Sequence, residues 1–301
     1  MKEYLLDLPL YLLYLSLWES KLPMKEKKYG SEYVNRELGT HIEKQMRILE
    51  VLLVKTLPKD KKLLNVIIPL FHSILDSCDS LILLSQRPKG KFPKIRDSFI
   101  ISRTIIETII NVTFIFAKGE EASKQAEKHW LQRTIRDLDR GIKVGDQIIK
   151  LKWTGKENLK ISKEIEEALK SFTTKRGKEI TKWTPETIVD RLELISSKYG
   201  QEISKNLQMG FFGIYADASE IPHGTFYGSM ILLGGAKPGG GPKNPREMET
   251  HLRKTLSHIL LMTFISLNSL IKVLAAELNN QELEKKSKEI LNSLFKEKWE
   301  S

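Results

Sequence analysis

The sequence predicts an all-α protein, a multi-helix antiparallel bundle with a glycine- and proline-rich loop before the last two helices. Nearly every patterned segment has apolar residues at helical spacing, and alternating β-branched runs bounded by turns are scarce. With 41% apolar and 29% charged residues in 301, the chain can bury a sizeable core. We expect one domain, with four parts: a packing or dimer-contact segment (residues 1–30), a central bundle (31–230), a flexible loop (231–245) and closing helices (246–301).

The N-terminal segment resembles a targeting or membrane sequence at first sight, because residues 10–18 are nearly all apolar or aromatic. The run is shorter than the ~20 apolar residues that a membrane span needs, and Asp7, Pro9 and Glu19 flank it. We therefore expect a short packing or dimer-contact helix and no membrane span. A single cysteine, Cys78, excludes an intrachain disulfide and favours a cytoplasmic location.

Three long helices are predicted first, and we expect them to pack as an antiparallel bundle. Prolines punctuate the gaps between them, because proline cannot continue a helix comfortably. The helices span about residues 31–57, 60–86 and 94–117, with Pro58, Pro88 and Pro93 between them.

The next segments are more polar. A strongly charged helix is predicted over residues 120–152, followed by a lysine-rich helix that ends near residue 175. Another helix is predicted to start at Thr184, whose hydroxyl suits an N-cap, with Pro185 in its first turn. A further helix begins near Gln201. This region is expected to cover the central bundle.

The C-terminal part begins with residues 232–247, the only stretch dense in both glycine and proline. It matches neither a Walker loop nor a dinucleotide-binding turn, so we expect a flexible loop. Asn244 is predicted to cap a helix over residues 245–277, with Glu247 at the capping-box position. An amphipathic helix over residues 279–298 closes the chain.

The third predicted helix carries a row of polar residues within an apolar run. Arg103, Glu107 and Asn111 are four residues apart and therefore share one helix face. A charged side chain among isoleucines and phenylalanines is costly to bury unless it is paired or satisfied. The row predicts either a buried ion pair or a functional site.

A second polar row precedes the flexible loop. Tyr215, Ser219 and His223 also repeat every four residues, and Pro222 and Gly224 indicate that the helix ends at the histidine. The negative end of the helix dipole favours the imidazolium form, which suits a general acid or an anion ligand. The alternative is a histidine that only caps the last carbonyl groups.

These two rows resemble a family of bacterial all-helical proteins of unknown function. In that pattern an apolar helix carries an Arg and a Glu one turn apart, and a later serine and histidine precede a glycine. The resemblance covers about residues 60–235 and does not supply a reaction. It implies that five side chains belong together in space: Arg103, Glu107, Tyr215, Ser219 and His223.

A more distant similarity is to HEPN domains, helical bundles that are often metal-independent ribonucleases of toxin and antiphage systems. In those domains an Arg and a His four to six residues apart meet across a dimer. Arg246 with His251 and Arg253 with His258 fit the spacing, but about one such match is expected by chance. Neither arginine is followed by the Asn, Asp or His usual there. Arg103 and His223, brought together by folding, are therefore at least as good a pair.

Two functions from different classes follow. In the first, the protein is a metal-independent ribonuclease or nucleotide phosphodiesterase of toxin or defence type. Arg103 would hold the phosphate, Glu107 would orient Arg103 and His223 would move the proton. A net charge of +11 suits an RNA or nucleotide partner. In the second, the polar rows are structural and the protein is a non-catalytic module for a protein partner, an antitoxin or an effector.

No cofactor or metal is expected from the sequence. It contains no HExxH motif, and Glu220 with His223 is a lone Glu-x-x-His pair where a di-iron bundle needs two. His72, Asp76 and Asp79 leave a single-metal phosphohydrolase as a minor alternative.

Overall fold

The structure, a computed structural model, describes residues 31–55, 61–86, 94–139, 141–150, 162–221, 225–235 and 241–296. Within these ranges the chain forms ten helices and one two-stranded hairpin, which confirms the all-α class. The first helices are α1 (Ser31–Lys55), α2 (Lys61–Ser85), α3 (Ile95–Lys118) and α4 (Glu120–Asp139). After the hairpin β1 (Gly141–Val144) and β2 (Gln147–Lys150) come α5 (Lys163–Ser171), α6 (Ile188–Tyr199), α7 (Gln201–Glu220), α8 (Phe226–Leu232), α9 (Pro245–Glu277) and α10 (Gln281–Lys296). The predicted N-terminal packing or dimer-contact segment lies outside the described residues.

The hairpin corrects the prediction of one charged helix over residues 120–152. The helix ends at Asp139, and β1 and β2 pair antiparallel, with Val144 opposite Gln147. Gly145 turns the chain between them with φ of +61°, a conformation that glycine adopts without steric cost. The short alternation of β-branched residues here was too brief to stand out against the charged helical pattern.

The start of α6 is a second correction. The helix begins at Ile188, because Thr187 rather than Thr184 is its N-cap. The Asp190 backbone N–H donates to the Thr187 hydroxyl at 3.3 Å, and the Thr187 backbone N–H donates to the Asp190 carboxylate at 2.7 Å. This is a complete capping box. The hydroxyl of Thr184 instead donates to Glu186.

Helix α9 lies at the centre of the bundle and packs against α1, α3, α7 and α10. Its buried face is apolar but also carries hydroxyls that bond to neighbouring helices. Ser257 donates to Asn35 of α1 at 2.7 Å, and Thr263 is 2.8 Å from Ser102 of α3. Such paired polar groups stabilise one arrangement of the helices, since each would be costly to leave unpaired in the core.

Three helices are long and apolar enough to cross a membrane, judged by length and composition: Asn65–Ser85 within α2, Ile95–Lys118 and Pro245–Glu277. The expectation of no membrane span considered only residues 10–18 and is therefore wrong as stated. In this structure 89% of the most apolar window of α9 is buried inside the protein, against 39% for α2. The residues that qualify α9 as a span also form the centre of the bundle.

Candidate functional site

Arg103 of α3 is held on three sides. Its Nε donates to the Glu107 carboxylate at 2.9 Å, and its Nη1 donates to the carbonyl oxygen of Ala218 on α7 at 3.3 Å. Its guanidinium lies 4.4 Å from the ring centroid of Tyr215, a cation–π contact. The Arg103 side chain nevertheless remains 30% exposed. The guanidinium is thus oriented by its neighbours without being sealed from solvent.

Helix α7 supplies the other wall of this cluster. Tyr215 stacks on Phe211 one turn earlier, with ring centroids 4.5 Å apart and planes 28° from parallel. Ser219 follows Tyr215 by one turn and is half-buried. Of the five side chains expected to share a site, the structure brings Arg103, Glu107 and Tyr215 into contact. His223 lies outside the described residues.

Asn111, the last member of the row on α3, has a different partner. Its side-chain oxygen accepts a hydrogen bond from Nη1 of Arg191 on α6 at 2.5 Å. Two more N–H groups of Arg191 donate to the Glu186 carbonyl oxygen, at 3.1 and 3.2 Å. The guanidinium also lies 5.5 Å from the Trp183 ring centroid. Sequence reasoning missed Arg191 because its partner is 80 residues away and no local spacing links them.

The charges of Glu107 and Arg191 link the two ends of the polar row on α3. Burial lowers the pKa of Arg191, while the charges of Glu186, Glu107 and Asp190 oppose that shift. An arginine keeps its proton through such a shift, so Arg191 remains a cation at neutral pH. Glu107 therefore acts on two arginines, by direct contact with Arg103 and through space on Arg191.

An ion pair closes the end of α3 next to this network. Lys118 donates to Glu186 at 2.5 Å, and this hydrogen bond raises the pKa of Lys118 against the effect of burial. Burial acts to raise the pKa of Glu186, but hydrogen bonds from Lys118 and Thr184 outweigh it, so the net shift is downward. Both groups are charged at neutral pH and fix the segment that carries Trp183.

A cavity of about 840 Å³ lies between α2, α3, α4 and Trp183, which we call the α2–α4 cavity. Sites for small ligands typically measure about 300–1,000 Å³. Its apolar walls are Val66, Pro69, Leu70, Ile115, Ala126 and Leu131. Its polar and indole groups are Asn65, Asn111, Glu127, His129, Trp130 and Trp183. Asn111 thus connects the polar row of α3 to this cavity.

His129 lines the α2–α4 cavity with a neutral imidazole. Its Nε2 lies 3.1 Å from the Thr181 carbonyl oxygen, and its ring packs edge-on against Phe172 with centroids 5.1 Å apart. Burial lowers the pKa of His129, and the charge of Arg133 lowers it further. The imidazole is therefore neutral at pH 7, with Nε2 as the donor to the Thr181 carbonyl. Trp130, the next residue, also lines the cavity and is 65% exposed.

The residues considered for a single metal do not face the polar row. His72, Asp76 and Asp79 are all on the exposed face of α2. Within the described ranges, no three His, Cys, Asp or Glu side chains lie close enough to hold a metal ion together. The arrangement there is that of an ordinary solvated helix face.

The fold and these contacts define an all-helical bundle whose third helix carries a polar row, which runs from the partly exposed Arg103 to Asn111 at an apolar cavity. Residues 64–237 match DUF5677, a family of unknown function, and this match covers more than half of the chain. The chain belongs to that family. The matched segment contains both polar rows and every residue that lines the α2–α4 cavity. No curated protein and no solved structure matches the chain.

The comparisons do not show the similarity to HEPN domains. Arg253, one of the arginines with the HEPN spacing, is buried and pairs with Glu249 at 2.9 Å. His258 is 3.1 Å from the Gly213 carbonyl oxygen. The partner expectations are corrected as well: nothing in the comparisons supports an RNA, nucleotide or protein partner, and three helices have the properties of membrane spans.

Proposed function

We propose that the protein binds a small, largely apolar molecule in the α2–α4 cavity and acts as an effector-binding module. The observation that carries this proposal is the cavity itself, which has the volume and the apolar lining of a ligand site. Two indoles, Trp130 and Trp183, add aromatic surface that suits a planar ligand. In this proposal the Arg103–Glu107 pair is structural and orients α3 against α7.

The environment of Arg103 supports that division of roles. Three sides of its guanidinium are occupied, by a carboxylate, a carbonyl oxygen and an aromatic ring. Those contacts are the ones expected of an arginine that holds two helices together. The α2–α4 cavity, in contrast, includes polar groups that have no partner among the described residues, such as the Glu127 carboxylate. Unpaired polar groups in an apolar pocket are typical of a place that receives a ligand.

The test uses N-phenyl-1-naphthylamine, a neutral aromatic amine whose fluorescence rises in apolar surroundings. Ala126→Phe places a phenyl ring in the α2–α4 cavity, and we expect it to weaken binding of this probe at least tenfold. Ala276→Phe is the matched control, because Ala276 is exposed near the end of α9 and does not line the cavity. It should leave the affinity within about twofold. Circular dichroism and thermal unfolding confirm that each variant is folded.

Two results would contradict the proposal. The first is that the wild-type protein does not bind the fluorescent probe at all. The second is that Ala126→Phe and Ala276→Phe bind it as tightly as the wild type does, which would place binding outside the α2–α4 cavity.

Hydrolysis of a phosphodiester is a second proposal, and the exposure of Arg103 favours it. A guanidinium that is oriented by Glu107 and still 30% exposed has the properties of a phosphate ligand. His223 would move the proton, as expected from the sequence. The ribonuclease form of this activity has no support from the comparisons.

The experiment for this second proposal measures hydrolysis of bis(4-nitrophenyl) phosphate with and without EDTA. We expect EDTA-resistant hydrolysis that is lost in folded Arg103→Ala and His223→Ala proteins. Two results would contradict the phosphodiesterase proposal: no hydrolysis by the wild type, or equal hydrolysis by the wild type and both variants. The effector-binding module would then be the remaining proposal.

A further inference from the structure

We infer that the ligand of the α2–α4 cavity is a neutral aromatic amide, whose carbonyl accepts from Asn111 and whose N–H donates to Glu127. This inference rests on the proposed function and specifies the chemistry of the molecule that it binds. Its basis is the orientation of one amide group and the charge of one carboxylate.

The side chain of Asn111 offers the cavity a hydrogen-bond donor. An asparagine amide has an oxygen that accepts and an NH₂ group that donates. A guanidinium only donates, so the contact with Arg191 at 2.5 Å must be made by the oxygen of Asn111. The NH₂ group is left over, and it has no partner among the described residues. Because Asn111 lines the cavity, a ligand that satisfies this group must present an acceptor.

Arg191 is itself fixed, which makes the orientation of Asn111 stable. Two of its other N–H groups donate to the carbonyl oxygen of Glu186, and its guanidinium lies 5.5 Å from the Trp183 ring centroid. Turning the Asn111 amide would oppose its NH₂ group to the guanidinium and lose a charge-assisted hydrogen bond. The donor is therefore preorganised, so a ligand would bind it with little loss of conformational entropy.

Glu127 requires a hydrogen-bond donor on the ligand. Glu127 lines the same cavity, and no hydrogen bond or ion pair joins its carboxylate to another described residue. A carboxylate accepts hydrogen bonds and repels anions, so it favours a ligand with an N–H donor and disfavours an acid or a phosphate. The ligand therefore needs an acceptor for Asn111, a donor for Glu127 and an aromatic body for the apolar walls. An aromatic amide has all three.

The test compares competitors that displace N-phenyl-1-naphthylamine, share a bicyclic aromatic body and differ in their substituents. 2-Quinolone has both the carbonyl and the N–H, 1-methyl-2-quinolone lacks the N–H, and naphthalene lacks both. We expect 2-quinolone to displace the probe from the wild-type protein at a concentration at least tenfold lower than naphthalene does. The N-methyl compound should fall between the two, and quinoline-2-carboxylate should be weaker than 2-quinolone.

Asn111→Asp is the decisive variant, because it keeps an oxygen for Arg191 but replaces the NH₂ donor by a second oxygen. We expect it to remove the advantage of 2-quinolone over naphthalene and to leave naphthalene within about threefold. Asn292→Asp, at an exposed position of α10, is the matched control and should change neither competitor. Glu127→Met removes the acceptor and keeps the length of the side chain, so it should weaken 2-quinolone and leave 1-methyl-2-quinolone unchanged.

The inference is overturned if 2-quinolone competes no better than naphthalene, or if Asn111→Asp retains its preference for 2-quinolone. Either result with normal binding of the fluorescent probe leaves the proposed function intact. Failure of the proposed function is a different result, in which the fluorescent probe does not bind or is insensitive to Ala126→Phe.

Discussion

Arg103 illustrates at the scale of one residue how burial and exposure are balanced in this bundle. Its contacts with Glu107, Ala218 and Tyr215 are each modest, because the side chain is 30% exposed and water screens its charge. The full cost of an unpaired buried charge, about 3–5 kcal/mol, therefore does not apply here. The stability lost on removing the Arg103 side chain is better estimated as the sum of one ion pair, one hydrogen bond and one cation–π contact.

We expect Arg103→Ala to lower the free energy of unfolding by about 1–2 kcal/mol, the combined effect of those three contacts. The matched control is Arg47→Ala on α1, where the arginine pairs with Glu43 at 2.7 Å but is 73% exposed. That change should cost less than about 0.5 kcal/mol. Urea unfolding measures both. Equal losses in the two variants would show that the contacts to α7 contribute nothing.

Gly210 of α7 permits a close approach to α9. A Cβ atom at this position would overlap the Ser266 hydroxyl oxygen, which donates to the Met262 carbonyl oxygen. We expect Gly210→Ala to destabilise the protein by about 1–3 kcal/mol through overpacking, and Gly210→Ala with Ser266→Ala to recover most of that loss. Thermal unfolding of the single and double variants is the measurement.

The control for Gly210 is another helical glycine with room for a methyl group. At Gly39 of α1, a Cβ would lie 3.5 Å from the Ser85 hydroxyl oxygen, an ordinary contact. Gly39→Ala should therefore stabilise the protein by about 0.5–1 kcal/mol, since alanine is the better helix former. A destabilised Gly39→Ala variant, or no rescue at Gly210, would contradict this account of the packing.

The local parts of the site could be predicted from the sequence, whereas the distant ones could not. Arg103 and Glu107 are one helical turn apart, so their pairing follows from helix geometry alone. Tyr215 could be assigned to them only through the family resemblance. Arg191 was missed because its contact with Asn111 depends on how α6 packs against α3, and nothing in either segment specifies that packing.

At the scale of the elements, the caps determine where the helices begin. Asn244 caps α9 as predicted, and its side-chain oxygen accepts from the Glu247 backbone N–H at 2.9 Å. The N-cap of α6 was predicted three residues too early, because Thr184 followed by Pro185 has the same local pattern as a cap. The hydroxyl of Thr184 is instead used by Glu186, which pairs with Lys118. Tertiary contacts therefore decided between two suitable threonines.

The Lys118–Glu186 pair predicts a pH dependence. The pKa of Glu186 is lowered on folding, so its contribution is present above its ordinary pKa and is lost as the pH falls through the lowered value. The pKa of Lys118 is raised, so its contribution is lost only as the pH rises through the raised value. The pair therefore stabilises the protein fully between about pH 5 and pH 10.

We expect Glu186→Gln to cost about 1 kcal/mol at pH 7 and to approach the wild-type stability in acid, where Glu186 itself becomes protonated. Glu43→Gln, in the exposed pair with Arg47, should change stability by less than about 0.5 kcal/mol at either pH. Urea unfolding across pH 3–8 measures both differences. A Glu186→Gln effect that is constant over this range would contradict the assigned role.

At the scale of the whole molecule, the all-α class and most helices could be predicted because apolar periodicity is a local property of the chain. The α2–α4 cavity could not, since it exists only where three helices and Trp183 leave space between them. The membrane prediction was wrong because it considered only residues 10–18, whereas three later helices are long and apolar enough to span a membrane. A buried central helix such as α9 and a membrane span have the same composition, and only their surroundings distinguish them.

The position of a bound ligand tests the central claim most directly. The protein has five tryptophans, of which Trp130 and Trp183 line the α2–α4 cavity. We would label them with 5-fluorotryptophan, assign the ¹⁹F resonances with Trp130→Phe and Trp183→Phe, and titrate N-phenyl-1-naphthylamine. The resonances of Trp130 and Trp183 should shift together, with saturation at the same affinity as the fluorescence titration. A probe that binds while neither resonance moves would show that the α2–α4 cavity is not the binding site.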